Sequence, residues 1–159
     1  MHMQPSSPEA PHGEGAGAAW SRLAVFASAV DASLDRWLAD TYRLGLTEFR
    51  ALTLLSRAAD KELRVNDLAQ RIGLNPSSTT RLVSRLEAKR LARRDVCEDD
   101  GRGVYAVIDE PGEALLREVR DPFAARVREL LSDLGAHFPH LDAHLIARTL
   151  TEVSTLIAP

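Results

Sequence analysis

The sequence predicts a mainly α-helical chain with one small β-hairpin. Three observations carry this. Leu, Ala and Arg are abundant and β-branched residues sparse, which favours helix. Apolar residues recur at alternating spacings of three and four over most of the chain, as one-sided helices require. One region breaks that rhythm: two short alternating segments around an acidic, glycine-containing turn.

Residues 1–17, MHMQPSSPEAPHGEGAG, are rich in Pro, Gly and Ser and are expected to form a disordered N-terminal tail. A helix is predicted from Ala18 to about Tyr42. Trp20, Leu23, Ala27, Val30, Leu34 and Trp37 build its apolar stripe, and it ends before Gly45. Thr47 suits an N-cap and Glu48 a first turn, opening a second helix with Phe49, Leu52 and Leu55 on one face. ADKELR reads as a linker. Asn66 then caps VNDLAQRIG, with Leu68, Ala69 and Ile72 inward and Gly73 just past the helix end. Asn75 and Pro76 open the next helix as N-cap and first helical residue. Leu82, Val83 and Leu86 face inward there, while Arg81, Arg85 and Lys89 recur on the outer face.

LARRDVC and GVYAVID follow as strands, with EDDGR as the turn of a hairpin. A helix resumes at about Pro111, after Asp109 as a cap. Leu115, Val119, Phe123, Val127, Leu130 and Leu134 form its stripe. Pro122 predicts a kink or break, with Asp121 capping the second half. GAHFP reads as a turn, and the last helix runs from about His140 to Ile157.

The chain has a formal net charge of -3. Yet between Arg81 and Arg94 it holds six basic residues and one acid. Helix, helix, short helix, turn, helix, hairpin is the winged helix-turn-helix arrangement, and the basic helix occupies its recognition position. Duplex DNA is a dense line of phosphates, so a protein that meets it gains from cations on the contact face. Ser77, Ser78, Thr79 and Thr80 crowd the helix N-terminus, where small hydroxyls approach phosphates or base edges closely. Arg81 and Arg85 are long enough to reach guanine N7 and O6, a pairing that discriminates by about 1–3 kcal/mol. Lys89 extends that face, and Arg94 is expected to act evenly across sequences. A charged face alone is often only solvated; the helix-turn-helix spacing and the hairpin favour DNA.

From Leu46 to about Leu116 the sequence resembles the MarR family of bacterial transcription regulators. LTEFRALTLL is similar to the family's Leu-Thr segment, VNDLAQRIGLNPSSTTRLVSRLEAKRLARR to its helix-turn-helix and recognition helix, and DGRGVYAVIDEPG to its wing. The resemblance implies a winged helix-turn-helix DNA-binding domain over residues 46–110 and a helical dimerisation region over 18–45 and 111–159. It implies a homodimeric, ligand-responsive repressor on a palindromic operator. The predicted terminal helices agree, since their apolar stripes exceed what a small winged domain can cover. The resemblance places Arg102 in the minor groove with Asp100 orienting it, although Asp-Gly is also plain turn chemistry. The family usually has Gly where this chain has Arg90, and Thr is commoner at Asp109. Its effectors are often aromatic acids or phenolic compounds, seated between the dimerisation helices and the winged domain. Trp20, Arg36, Trp37 and Tyr42 lie on elements that reach such a pocket, and equally suit a core or an interface.

Other chemistries find little support. No Gly-x-Ser-x-Gly, P-loop, His-Glu-x-x-His or Rossmann glycine pattern occurs, so no enzyme activity and no cofactor is expected. The single cysteine, Cys97, excludes an intrachain disulfide, and the acids after it oppose a reactive thiolate. His137, His140 and His144 lie close in sequence, but Pro139 interrupts their spacing and no further ligand completes a metal site. No secretory signal and no apolar stretch of about 20 residues is seen, which points to the cytoplasm. The competing assignments are a winged-helix module for protein contacts, or a redox- or metal-responsive regulator of the same fold.

Overall fold

A computed structural model describes residues 15–97, 99, 101 and 103–157 of the chain. Seven helices and three strands are seen among them. They are α1 (Ala16–Tyr42), α2 (Leu46–Arg57), β1 (Glu62–Arg64), α3 (Val65–Ile72), α4 (Pro76–Ala88), β2 (Ala92–Cys97), β3 (Gly103–Ile108), α5 (Glu110–Ser132), α6 (Leu134–His137) and α7 (Ala143–Ile157). The chain is mainly helical with a small antiparallel sheet, as its composition and periodicity predict. Residues 31–132 form one compact unit and residues 15–30 with 133–157 another.

In the larger unit, α2, α3 and α4 present leucines at helical spacing to a common core. Leu52, Leu55, Leu68, Leu82, Val83 and Leu86 are fully buried. Each such leucine contributes about 1.5–3 kcal/mol relative to exposure. The sheet closes this core from the other side through Leu63, Ala92, Ala106 and Ile108. In the smaller unit Phe26 meets Phe138 edge to face at 6.4 Å, with Ile146 and Thr149 also buried.

Several expectations are corrected. The predicted linker before α3 contains a 3-10 turn, Ala59–Lys61, and then β1, so the sheet has three strands in the order β1-β3-β2. β1 is too short for its alternation to register, and only pairing with β3 reveals it (Leu63 opposite Ala106). Thr47 and Asn66 are not N-caps but lie inside first turns. At α2 the free N–H groups go to distant or reciprocal partners instead. Gly45 N donates to Glu48 Oε2 at 2.8 Å, and Leu46 N to Asp35 Oδ1 of α1 at 2.8 Å. α3 follows β1 directly, which leaves no extended position for Asn66.

α5 runs through Pro122 without a break. Proline leaves only the Glu118 carbonyl short of a helix partner, and both residues are exposed, so solvent can serve that oxygen. GAHFP is not a plain turn. Asp133 Oδ1 accepts from Ala136 N at 3.1 Å and starts the single turn of α6. α7 begins at Ala143 rather than His140, because Asp142 caps it through Leu145 N at 2.9 Å. α1 begins two residues before Ala18, inside the stretch assigned to the tail; residues 1–14 lie outside the described residues.

Candidate nucleic-acid interface

α4 is built as the sequence predicts. Asn75 Oδ1 accepts the Ser78 N–H at 2.8 Å, and Pro76 takes the first helical position. Gly73 ends α3 with φ 78, and Leu74 N returns to Ala69 O at 3.0 Å, so the turn is tight. That turn fixes α4 against α3 and leaves one side of α4 in solvent.

The expected contact residues divide into groups. Ser77, Thr80, Arg81 and Arg85 are exposed on the outer side. Arg81 makes no ion pair with any described residue. Arg85 Nε stands 3.5 Å from Glu48 Oε1, a loose pairing on a side chain more than half exposed. Ser78 is half-buried. Thr79 is the clear correction: it is fully buried between the inward leucines, and its hydroxyl donates to Asn75 O at 3.0 Å. Four consecutive helical residues span more than one turn, so they cannot all face the same way.

Lys89 and Arg94 are engaged within the protein. Lys89 Nζ lies 2.6 Å from Glu48 Oε2 and 2.8 Å from Arg43 O, tying the end of α4 to the α1–α2 corner. Arg94, on β2, reaches across the outer side of α4 to Glu87 Oε2 at 2.6 Å, Ser84 Oγ at 2.7 Å and Thr80 O at 3.0 Å. Its own N–H donates to Glu87 Oε1 at 2.9 Å. These bonds set the angle between wing and helix. Arg93 pairs with Asp109 at the other end of the ladder. Asp100 and Arg102 lie outside the described residues.

Sequence reasoning missed Glu48 as a hub. It is 3% exposed and serves a backbone N–H, an ammonium and a guanidinium. Its signal is non-local, since the ammonium comes from 41 residues away.

Just past the end of α4, Arg90 takes a left-handed conformation, φ 58, and Leu91 N is bonded to Leu86 O at 2.9 Å. This is the geometry a glycine would provide, here made by arginine. Beyond the wing, Gly112 is buried where any Cβ would collide with the Leu91 carbonyl. It lets α5 start directly against the strand that follows α4.

A cavity of about 550 Å³ opens between α2 and α5. Phe49, Leu116 and Phe123 supply its apolar lining, with Arg57, Arg117 and Arg120 at its polar side. Lys61 at its edge is 3.2 Å from Glu113. None of Trp20, Arg36, Trp37 and Tyr42 lines it. Trp37 stands behind it instead, with its ring centroid 6.5 Å from that of Phe123 and 5.6 Å from that of Tyr42. Trp20 is 67% exposed and Arg36 is exposed. His137 and Phe138 rings are 6.5 Å apart, while His140 and His144 are exposed. Among the described residues no three of His, Cys, Asp and Glu converge on one point.

A three-helix core, a tight α3–α4 turn and a three-stranded wing define the winged helix-turn-helix class. Comparison with known proteins narrows this. A family model described as MarR family matches residues 44–103. The HTH-type transcriptional regulator MhqR of Bacillus subtilis (strain 168) is 31% identical over 105 residues, which cover 66% of this chain and 71% of that protein. The structure of AbsC, a MarR family transcriptional regulator from Streptomyces coelicolor, is similar with a TM-score of 0.68 at 28% identity, over 90% of this chain and 89% of AbsC. Sco3205 from the same organism, a MarR family regulator solved in complex with DNA, gives a TM-score of 0.69 at 24% identity, over 94% and 91% of the two chains. The chain belongs to the MarR family of DNA-binding transcription regulators, and is therefore a regulator rather than an enzyme. No described helix is long and apolar enough to cross a membrane.

Proposed function

We propose that the protein is a cytoplasmic homodimeric repressor that reads a palindromic operator with α4 and releases it on binding a small aromatic acid. The observation that carries the reading is the outer side of α4. Ser77, Thr80, Arg81 and Arg85 stand exposed on a helix whose other side is locked into the core. Arg81 and Arg85 are the base-reading residues, and Ser77 and Thr80 contact phosphates. Ser78 contributes its side of the N-terminus, while Lys89 and Arg94 hold the helix in place. Arg102, oriented by Asp100, enters the minor groove. The fold shared with Sco3205, itself solved on DNA, supports this placement.

Residues 18–45 and 111–159 form the dimerisation region in this reading. Its support is exposed apolar surface: Trp20, Val25 and Leu150 are 67%, 54% and 37% exposed within the smaller unit. Surface of that kind calls for a partner, and two-fold pairing is the commonest solution. The effector seat is the cavity between α2 and α5, whose phenylalanines suit an aromatic ring and whose arginines suit a carboxylate. Trp37 supports the ring behind Phe123.

A gel shift on genomic fragments selected by the protein tests both parts. Affinity falls steeply with salt, as several phosphate contacts require. Added benzoate weakens the complex by about 5- to 150-fold, the usual range of coupling between two sites. Salt-insensitive binding would refute the DNA reading, and indifference to benzoate would refute the aromatic-acid seat.

A further inference from the structure

Glu48 is buried where α2 meets the last turn of α4, and its two oxygens have separate partners. Oε2 accepts the Gly45 N–H at 2.8 Å and Lys89 Nζ at 2.6 Å. Oε1 faces Arg85 Nε at 3.5 Å. Capping α2 accounts for only the first of these contacts. A neutral amide accepts a backbone N–H there equally well, as capping boxes with Gln show. A buried carboxylate is costly unless cations compensate it. The charge on Glu48 therefore serves α4 rather than α2.

Arg81, Arg85 and Lys89 recur every four residues along α4, and their engagement is graded. Lys89 is held tightly and donates also to Arg43 O at 2.8 Å. Arg85 meets the carboxylate at Nε, while its side chain stays 54% exposed. Arg81 makes no ion pair with any described residue. A guanidinium has donors on two edges: the Nε side, and the far edge formed by both terminal amino groups. An acid on the Nε side leaves the far edge free. Two parallel donors of that kind are what guanine O6 and N7 accept.

We propose that Glu48 is a positioning residue for base reading, aiming the Arg85 guanidinium at its base pair. Lys89 balances the buried charge, so the carboxylate stays in place beside Arg85. A cation restrained in this way loses little freedom on meeting the correct base and adapts poorly to a wrong one. Glu48 thereby raises the ratio of specific to non-specific binding, although it is itself an acid beside a polyanion. This inference rests on α4 being the DNA-reading helix, and it names the residue that gives one of its arginines a direction.

The test measures affinity of the full-length protein for a selected genomic fragment and for a random-sequence duplex. Glu48→Gln keeps the shape and the acceptor for Gly45 N and removes the charge. The ratio of selected to random affinity falls about fivefold, the low end of what one bidentate arginine–guanine pair discriminates. Base preference relaxes at the same base pair that Arg85→Ala relaxes. In an Arg85→Ala background, Glu48→Gln causes no further loss of the ratio. An equal change on both DNAs, or a loss that persists in the Arg85→Ala background, is the mark of a cap alone and overturns the proposal. If thermal melting shows that Glu48→Gln is unfolded, NMR order parameters of the arginine Nε–H groups in the parent protein decide. Arg85 is then the more ordered and Arg81 the less; equal values overturn the proposal. Full base preference in Arg85→Ala would instead remove Arg85 as a reader, and the proposal with it.

Discussion

Arg81 and Lys89 look equivalent in the sequence, two cations on one helix face, yet they meet different surroundings. Arg81 has solvent before it and no ion pair among the described residues. Lys89 is spent on Glu48 and on the Arg43 carbonyl. Substitution separates them. Arg81→Ala weakens binding to a selected genomic fragment by about 1–3 kcal/mol and relaxes the base preference recovered by selection. Lys89→Ala lowers the melting temperature by about 2–4 °C, corresponding to about 1 kcal/mol for a partly exposed ammonium on a buried carboxylate that keeps its other partners, Gly45 N and Arg85. It leaves the salt slope of DNA binding unchanged. Equal losses on selected and random DNA for Arg81→Ala, or a shallower slope for Lys89→Ala, would reverse the two roles.

At the scale of elements, the ends of α4 and the start of α5 set how the wing meets the helix, and two substitutions probe this. Arg90→Gly relieves a left-handed conformation that costs a side-chain-bearing residue about 1–2 kcal/mol, so its denaturant midpoint rises; a fall would mean that the arginine side chain stabilises the corner. Gly112→Ala forces a methyl group onto the Leu91 carbonyl and costs about 3 kcal/mol, read as a lower melting temperature; an unchanged melt would show that the α5 start yields easily. Elements with a local signal were legible in the sequence. The Asn75–Pro76 start of α4, the Leu82–Val83–Leu86 face and the Gly73 turn each follow from neighbouring residues. What escaped depends on distant partners. β1 exists through β3, the cap of α2 comes from Asp35, and Glu48 is buried by packing. Thr79 differs from its neighbouring hydroxyls for a local reason: the helical turn carries it inward, where its hydroxyl donates to Asn75 O.

The molecule as a whole carries a net charge of -3, and α4 exposes Arg81 and Arg85 together on one side. Such a chain gains little from non-specific attraction to DNA, so its binding depends on presenting α4 correctly and, in our account, twice. In the proposed homodimer the two α4 helices lie about one duplex turn apart, roughly 34–36 Å. Hydroxyl-radical footprinting of the dimer on a fragment selected from genomic DNA measures that spacing. Two symmetry-related sets of protected sugars, centred about 10–10.5 base pairs apart, are the predicted result. A single unsymmetrical footprint, or protection that persists when Arg81 and Arg85 are both replaced by Ala, would contradict it.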